Sequence, residues 1–93
     1  MIGQSAIRVL IVEDEVLLAL HLEDLLISLG HEVAGHATRI EMAIEFAYKS
    51  DIDFAILDIN VAGTKSFPVA DILRRRGVPF IFATGYGAEG LIS

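Results

Sequence analysis

Apolar and polar positions along this chain follow two rhythms. Residues 7–12 ("IRVLIV"), 53–58 ("DFAILD") and 79–84 ("PFIFAT") are short, nearly continuous apolar runs. Runs of that length suit strands buried on both faces, as in a parallel sheet. A weaker run at 31–37 ("HEVAGHA") predicts one more strand. Between them the period lengthens to that of a helix. Leu18, Leu22, Leu25 and Leu29 recur at helical spacing, and Gly30 ends the pattern as a C′ residue. Ile40, Ala43, Ile44 and Ala47 predict a second helix, opened by a capping box spelled Thr38-Arg39-Ile40-Glu41. Val69, Ile72 and Leu73 predict a third, with Ser66 as N-cap, Pro68 in the first turn, Arg74 to Arg76 at the cation-favouring end and Gly77 as the stop. "AEGLIS" (88–93) has the composition to open a fourth helix.

The resulting order is β-α-β-α-β-α-β. Such alternation implies one parallel sheet with helices on both faces, and right-handed crossovers make it doubly wound. No internal repeat, linker or low-complexity segment interrupts it. With 93 residues the chain has room for one domain, spanning 1–93.

Composition narrows the function. The 54% hydrophobic content is above the usual range for soluble domains, so apolar surface is expected to remain after the core is filled. The net charge of −6 disfavours nucleic acid as a partner. With no cysteine, disulfides, thiolate metal sites and thiol nucleophiles are excluded. No apolar run reaches membrane-spanning length, and the start "MIGQSAIR" has no signal-peptide core. The expectation is no membrane contact and a cytoplasmic location.

In open parallel sheets the ligand site lies at the carboxyl ends of the strands, at the switch point of strand order. Glu13 and Asp14 follow the first strand, Asp58 ends the third with Asn60 two residues on, and Thr84 follows the fourth. Taken singly, Asp14 could cap a helix and Asp58 could start a turn. Together three carboxylates raise one another's pKa, and a fold tolerates such a cluster mainly when a cation neutralises it. Hard oxygen donors without Cys or nearby His point to Mg²⁺. A carboxylate beside Mg²⁺ can act as a nucleophile on phosphorus, and Thr84 could bond a phosphoryl oxygen.

These residues bear a family likeness. "VLIVEDE", "FAILDIN" and "GVPFIFATGYG", with the βα spacing between them, resemble the receiver domain of two-component response regulators. The likeness covers essentially the whole chain. It implies a flavodoxin-like doubly wound sheet of which four of five βα units are legible. It implies Asp58 as phosphoacceptor, Glu13 and Asp14 as the acidic pocket, Asp14 and Asp58 as Mg²⁺ ligands, and a backbone carbonyl ligand from Asn60. Thr84 would be the switch hydroxyl. Apart from the likeness, Tyr86, between Gly85 and Gly87, is a candidate exposed reporter of the switch. The implied partners are a sensor histidine kinase or phosphotransfer protein and a downstream protein. "FATGY" resembles the FATGUY variant of receivers, found among single-domain regulators of general stress.

Three departures accompany the likeness. The fifth strand, its phosphoryl-pairing Lys and the last helix do not appear among the 93 residues. Lys65, in the loop after Asp58, is a candidate phosphate contact, set against an ordinary solvated lysine. The turn "NVAG" lacks the proline common after the phosphoacceptor. Weakened phosphorylation is expected, as is homodimerisation through an exposed fourth-strand edge or the second apolar stripe of the first helix, Val16, Leu20 and Ile27.

Three rival readings were weighed. Gly85, Gly87 and Gly90 spell the G-x-G-x-x-G dinucleotide fingerprint, but after the fourth strand, with no room for the ribose acid. "LDINV" is similar to the nucleophile strand of haloacid-dehalogenase phosphohydrolases, but Asn60 stands where their general acid belongs. A degenerate receiver acting only as a binding module fits the missing Lys and not the acid triad.

Overall fold

The computed structural model describes residues 6–83. Thr84, Tyr86 and the glycines at 85, 87 and 90 lie outside the described residues. Four strands, β1 (Arg8–Val12), β2 (Glu32–Ala37), β3 (Phe54–Asp58) and β6 (Phe80–Ala83), form one parallel sheet in the order β2-β1-β3-β6. Helices α1 (Val16–Ser28), α2 (Ile40–Lys49) and α3 (Phe67–Arg75) connect them. A small antiparallel hairpin, β4 (Asn60–Val61) and β5 (Thr64–Lys65), stands between β3 and α3. This is the doubly wound parallel sheet that the pattern predicts, with the hairpin as an addition.

Strand order dictates which helix covers which face. The first crossover steps from β1 outward to β2, and the second steps back over β1 to β3. With right-handed crossovers that reversal puts α1 on one face and α2 and α3 on the other. The two layers differ in density. Leu10, Val12, Ala55 and Leu57 of the sheet pack with Ile40, Ala43 and Ala47 of α2 and Val69, Ile72 and Leu73 of α3 in one contiguous core. Both helices bury the stripe the pattern assigned. Helix α1 is apolar nearly all round, and it fully buries only Ala19. Val16, Leu20 and Ile27 are exposed, as are Ile81 and Phe82 on β6 at the end of the sheet.

Helix ends show which sequence signals carried through. Gly30 and Gly77 both adopt positive φ just after a helix. Around Gly30, His31 N–H donates to the Leu26 carbonyl and Gly30 N–H to that of Ile27; Val78 and Gly77 repeat the pattern on Leu73 and Arg74. Both are Schellman stops, where only glycine takes the left-handed turn without a Cβ penalty. The N-terminal signals did not carry through. Arg39 occupies the N-cap of α2 with no side-chain bond, so the capping box at Thr38 is not formed. Ser66 does occupy the N-cap of α3, but its buried hydroxyl has no partner among the described residues. Arg76, expected to serve its own helix end, donates instead to the carbonyls of Ala47 and Ser50 at the end of α2. It thereby ties α3 to α2.

The hairpin was not anticipated, for a local reason. Its two-residue turn places Ala62 and Gly63 at φ of 50° and 83°. Positive φ at both central positions is the mark of the tight hairpin turn, normally spelled Asn-Gly or Asp-Gly. Alanine in the first of these places hides the signal.

Candidate functional site

The switch point of this sheet falls between β1 and β3, its two central strands. Their carboxyl ends carry Glu13 and Asp14, just past β1, and Asp58, the last residue of β3. One carboxylate oxygen from each of the three lies within 4.8 Å of the others. The sequence places three acids on one rim; the structure brings them to a single point.

The three acids sit in different surroundings. Glu13 is buried, at 4% exposure, while Asp14 is exposed and Asp58 is half-buried. Glu13 continues the β1–β2 ladder by donating its N–H to the Ala37 carbonyl at 2.9 Å. Its Oε2 accepts the Glu15 N–H at 3.0 Å, which folds the side chain back over the start of α1. Burial pushes its pKa up from 4.5 to about 7, against the pull of the Glu15 N–H; the charges of Asp58 and Asp14 push the same way. Asp58 is also raised, first by burial and then by Asp14, although the N–H groups of Asn60 and Ile59 favour its charge. The neighbouring Glu13 side chain acts the other way on Asp58, favouring its charged form. No Lys or Arg among the described residues forms an ion pair with any of the three.

Asp14 has a second task. Its Oδ2 accepts the Ala62 N–H at 3.0 Å, fastening the hairpin tip to the β1–α1 turn. The hairpin also disposes Asn60. Ser66 N–H donates to the Ile59 carbonyl, so residues 59 and 66 form a hydrogen-bonded pair. Pairs alternate in an antiparallel ladder, and Asn60 opposite Lys65 is therefore the non-bonded pair. The Asn60 carbonyl is left off the ladder, available as an oxygen donor. Lys65 is exposed on β5 and pairs with no described carboxylate. Beside the hairpin opens a polar groove of about 300 Å³, lined by Arg39, Ile40, Glu41, Val61, Ala62 and Thr64. The sequence pattern held no signal for it, since it needs the hairpin to exist.

His36 was also missed. It lies within β2, and its Nε2–H donates to the Glu13 carbonyl at 3.0 Å. His31 accepts the Ile7 N–H at the other end of the sheet, and His21 is exposed on α1.

No helix among the described residues is long and apolar enough to cross a membrane. Comparison with known proteins agrees with the geometry. The chain is 42% identical over 87 residues to the phyllosphere-induced regulator PhyR of Methylorubrum extorquens, covering 90% of this chain and 33% of that protein. The solution structure of SdrG from Sphingomonas melonis matches with a TM-score of 0.83 at 41% identity, over 94% of this chain and 75% of SdrG. The anti-anti-sigma factor PhyR of Bartonella quintana, crystallised with the anti-sigma factor NepR, matches with a TM-score of 0.75 at 34% identity, over 83% of this chain and 33% of that one. This chain thus spans about a third of the curated regulator it matches. The sequence profile of response regulator receiver domains covers residues 9–92, from inside β1 to past the last described strand. With that profile spanning nearly the whole parallel sheet, the chain belongs to the response regulator receiver domain family.

Proposed function

We propose that the chain is the phosphoacceptor module of a two-component or phosphorelay pathway, with Asp58 as the residue phosphorylated. The observation that carries this reading is the meeting of Glu13, Asp14 and Asp58 within 4.8 Å with no ion pair to a cationic side chain among the described residues. Such a cluster suits a divalent cation with oxygen ligands. Asp14, Asp58 and the Asn60 carbonyl would hold Mg²⁺, with Glu13 behind them. When bound, the cation would offset negative charge on the transferring phosphoryl oxygens.

The Asp58 carboxylate attacks the phosphorus of a phosphohistidine on a sensor kinase or phosphotransfer protein. An O–P bond forms, the N–P bond breaks, and the electron pair leaves on the imidazole nitrogen, which takes up a proton. The product is an acyl phosphate, adding roughly −1.5 to −2 charge at neutral pH. In this reading Thr84 follows the phosphoryl group and Tyr86 reports it. The output is binding to a protein partner in the cytoplasm. The PhyR relative crystallised with an anti-sigma factor supports a protein as the reader of the state. Self-association through the outer edge of β6 or the exposed stripe of α1 belongs to the same reading.

Incubation with a radiolabelled phosphohistidine kinase tests it. One phosphoryl group per chain is expected, dependent on Mg²⁺ and lost in Asp58→Ala. Labelling that persists in Asp58→Ala would overturn the assignment. Repeated turnover of a phosphate monoester would replace it with a phosphohydrolase.

A further inference from the structure

Strand β2 shifts register against β1 partway along their ladder. Arg8 pairs with Glu32 and Val9 with Val33, but Leu10 pairs with Gly35, so Ala34 is an extra residue in the ladder. In a parallel pair, residues in register send their side chains to the same face, and a slip of one residue turns every later side chain over. The bulge puts Ile11 opposite His36 and Val12 opposite Ala37. Ala37 therefore joins Val12 in the core beneath α2, while His36 is turned to the α1 face with Ile11. Without the bulge, His36 would be directed into the apolar core. Gly35, opposite Leu10, leaves room for the Phe46 ring of α2, which would lie 2.5 Å from a Cβ at that position.

The α1 face is where the β1–α1 turn starts. From there His36 Nε2–H reaches the Glu13 carbonyl at 3.0 Å. Both backbone groups of Glu13 are thus bonded to β2, the N–H to the Ala37 carbonyl and the carbonyl to the His36 ring. Its carboxylate in turn holds the Glu15 N–H. A buried carboxylate moves with its backbone, and Asp14 is the next residue.

We propose that His36 is a positioning residue for the acidic rim: delivered by the β2 bulge, it holds the Glu13 carbonyl and so sets the oxygens of Glu13 and Asp14 for a divalent cation. This rests on the cation reading of the rim given above. Partners that orient metal ligands typically change metal affinity by 10- to 100-fold when removed.

The test compares wild type, His36→Leu and His36→Gln in the full chain. Glutamine can present an N–H near the place of Nε2; leucine cannot. Two quantities are read by NMR: exchange of the Glu15 amide in EDTA, and the Mg²⁺ dissociation constant by titration. His36→Leu should speed Glu15 exchange and weaken Mg²⁺ binding about tenfold, and His36→Gln should restore both to within about twofold of wild type. Unchanged exchange and affinity in His36→Leu, or a glutamine variant that behaves like leucine, would overturn the assignment while leaving the cation site standing. Failure of the wild type to bind Mg²⁺ would overturn the cation reading, and the role of His36 in it.

Discussion

The two ends of the sheet are both acidic and treat their acids in opposite ways. At the amino ends of the strands, Asp53 accepts the backbone N–H of Arg8 at 2.8 Å. The Arg8 guanidinium bonds Glu32 at 2.9 Å and the Asp51 carbonyl at 2.8 Å. There one arginine stitches β1 to the start of β2 and to the segment before β3, and Glu32 and Asp53 each have a partner. At the carboxyl ends, Glu13, Asp14 and Asp58 converge with no Lys or Arg ion pair among the described residues, and Glu13 is buried as well. An acid with a partner serves the fold. Acids gathered without one raise the free energy of the folded state, and a ligand can recover that energy. The difference between the ends, more than the number of acids, marks the rim as the site.

The comparison is sharpest in pH dependence. Glu13 has a folded pKa of about 7, above its ordinary 4.5. The folded state therefore holds a proton between those values that the unfolded chain has released. Stability from this group is complete below about pH 4.5 and is lost as pH rises to 7. Solvent at the rim screens part of the shift, which leaves about 2 kcal/mol. Urea titrations in EDTA at pH 5 and pH 8 should show this loss, and Glu13→Gln should abolish most of it. Mg²⁺ should stabilise the protein more at pH 8, where the carboxylates it binds are free of protons. Stability that rises over this range in EDTA would break the comparison at the rim end.

At the other end the expected effects are smaller and of opposite meaning. Asp53→Ala removes an acceptor from the Arg8 N–H and should cost about 1 kcal/mol, with Mg²⁺ affinity unchanged. Denaturation and a Mg²⁺ titration on the same variant check both halves. The smallest effect belongs to Glu32→Gln. Its ion pair with Arg8 is solvent-exposed, so the loss should stay below about 0.5 kcal/mol and vanish at high salt. A salt-independent loss above that would mean that the amino end is held by electrostatics after all.

Much of the rim was legible because it follows from local pattern. Buried parallel strands read as apolar runs, and the residue that breaks each run stands at a carboxyl end. Glu13, Asp14 and Asp58 are therefore found by finding where "VLIV" and "FAIL" stop. The helix stops at Gly30 and Gly77 were legible for a similar reason, since the left-handed turn favours one residue type. The starts were not. Ser66 and Thr38 have cap chemistry, but Thr38 falls one residue before the N-cap that Arg39 occupies, and Ser66 makes no cap bond from its N-cap. The hairpin escaped because Ala62 takes a conformation that its identity does not announce.

The sequence by itself determined the element order, the parallel sheet, the faces of α2 and α3 and the three acids at the strand ends. Each depends on residue type and spacing over a few positions, which is the range of hydrophobic periodicity. The tertiary structure alone decided that the acids meet at one point with Glu13 buried beneath, that Asp14 fastens the hairpin and that the Asn60 carbonyl is left off its ladder. It also decided that one extra residue in β2 turns His36 toward Glu13. Those outcomes depend on strand order and register, in which residues more than 20 positions apart become neighbours, and no local pattern records which way a strand is turned.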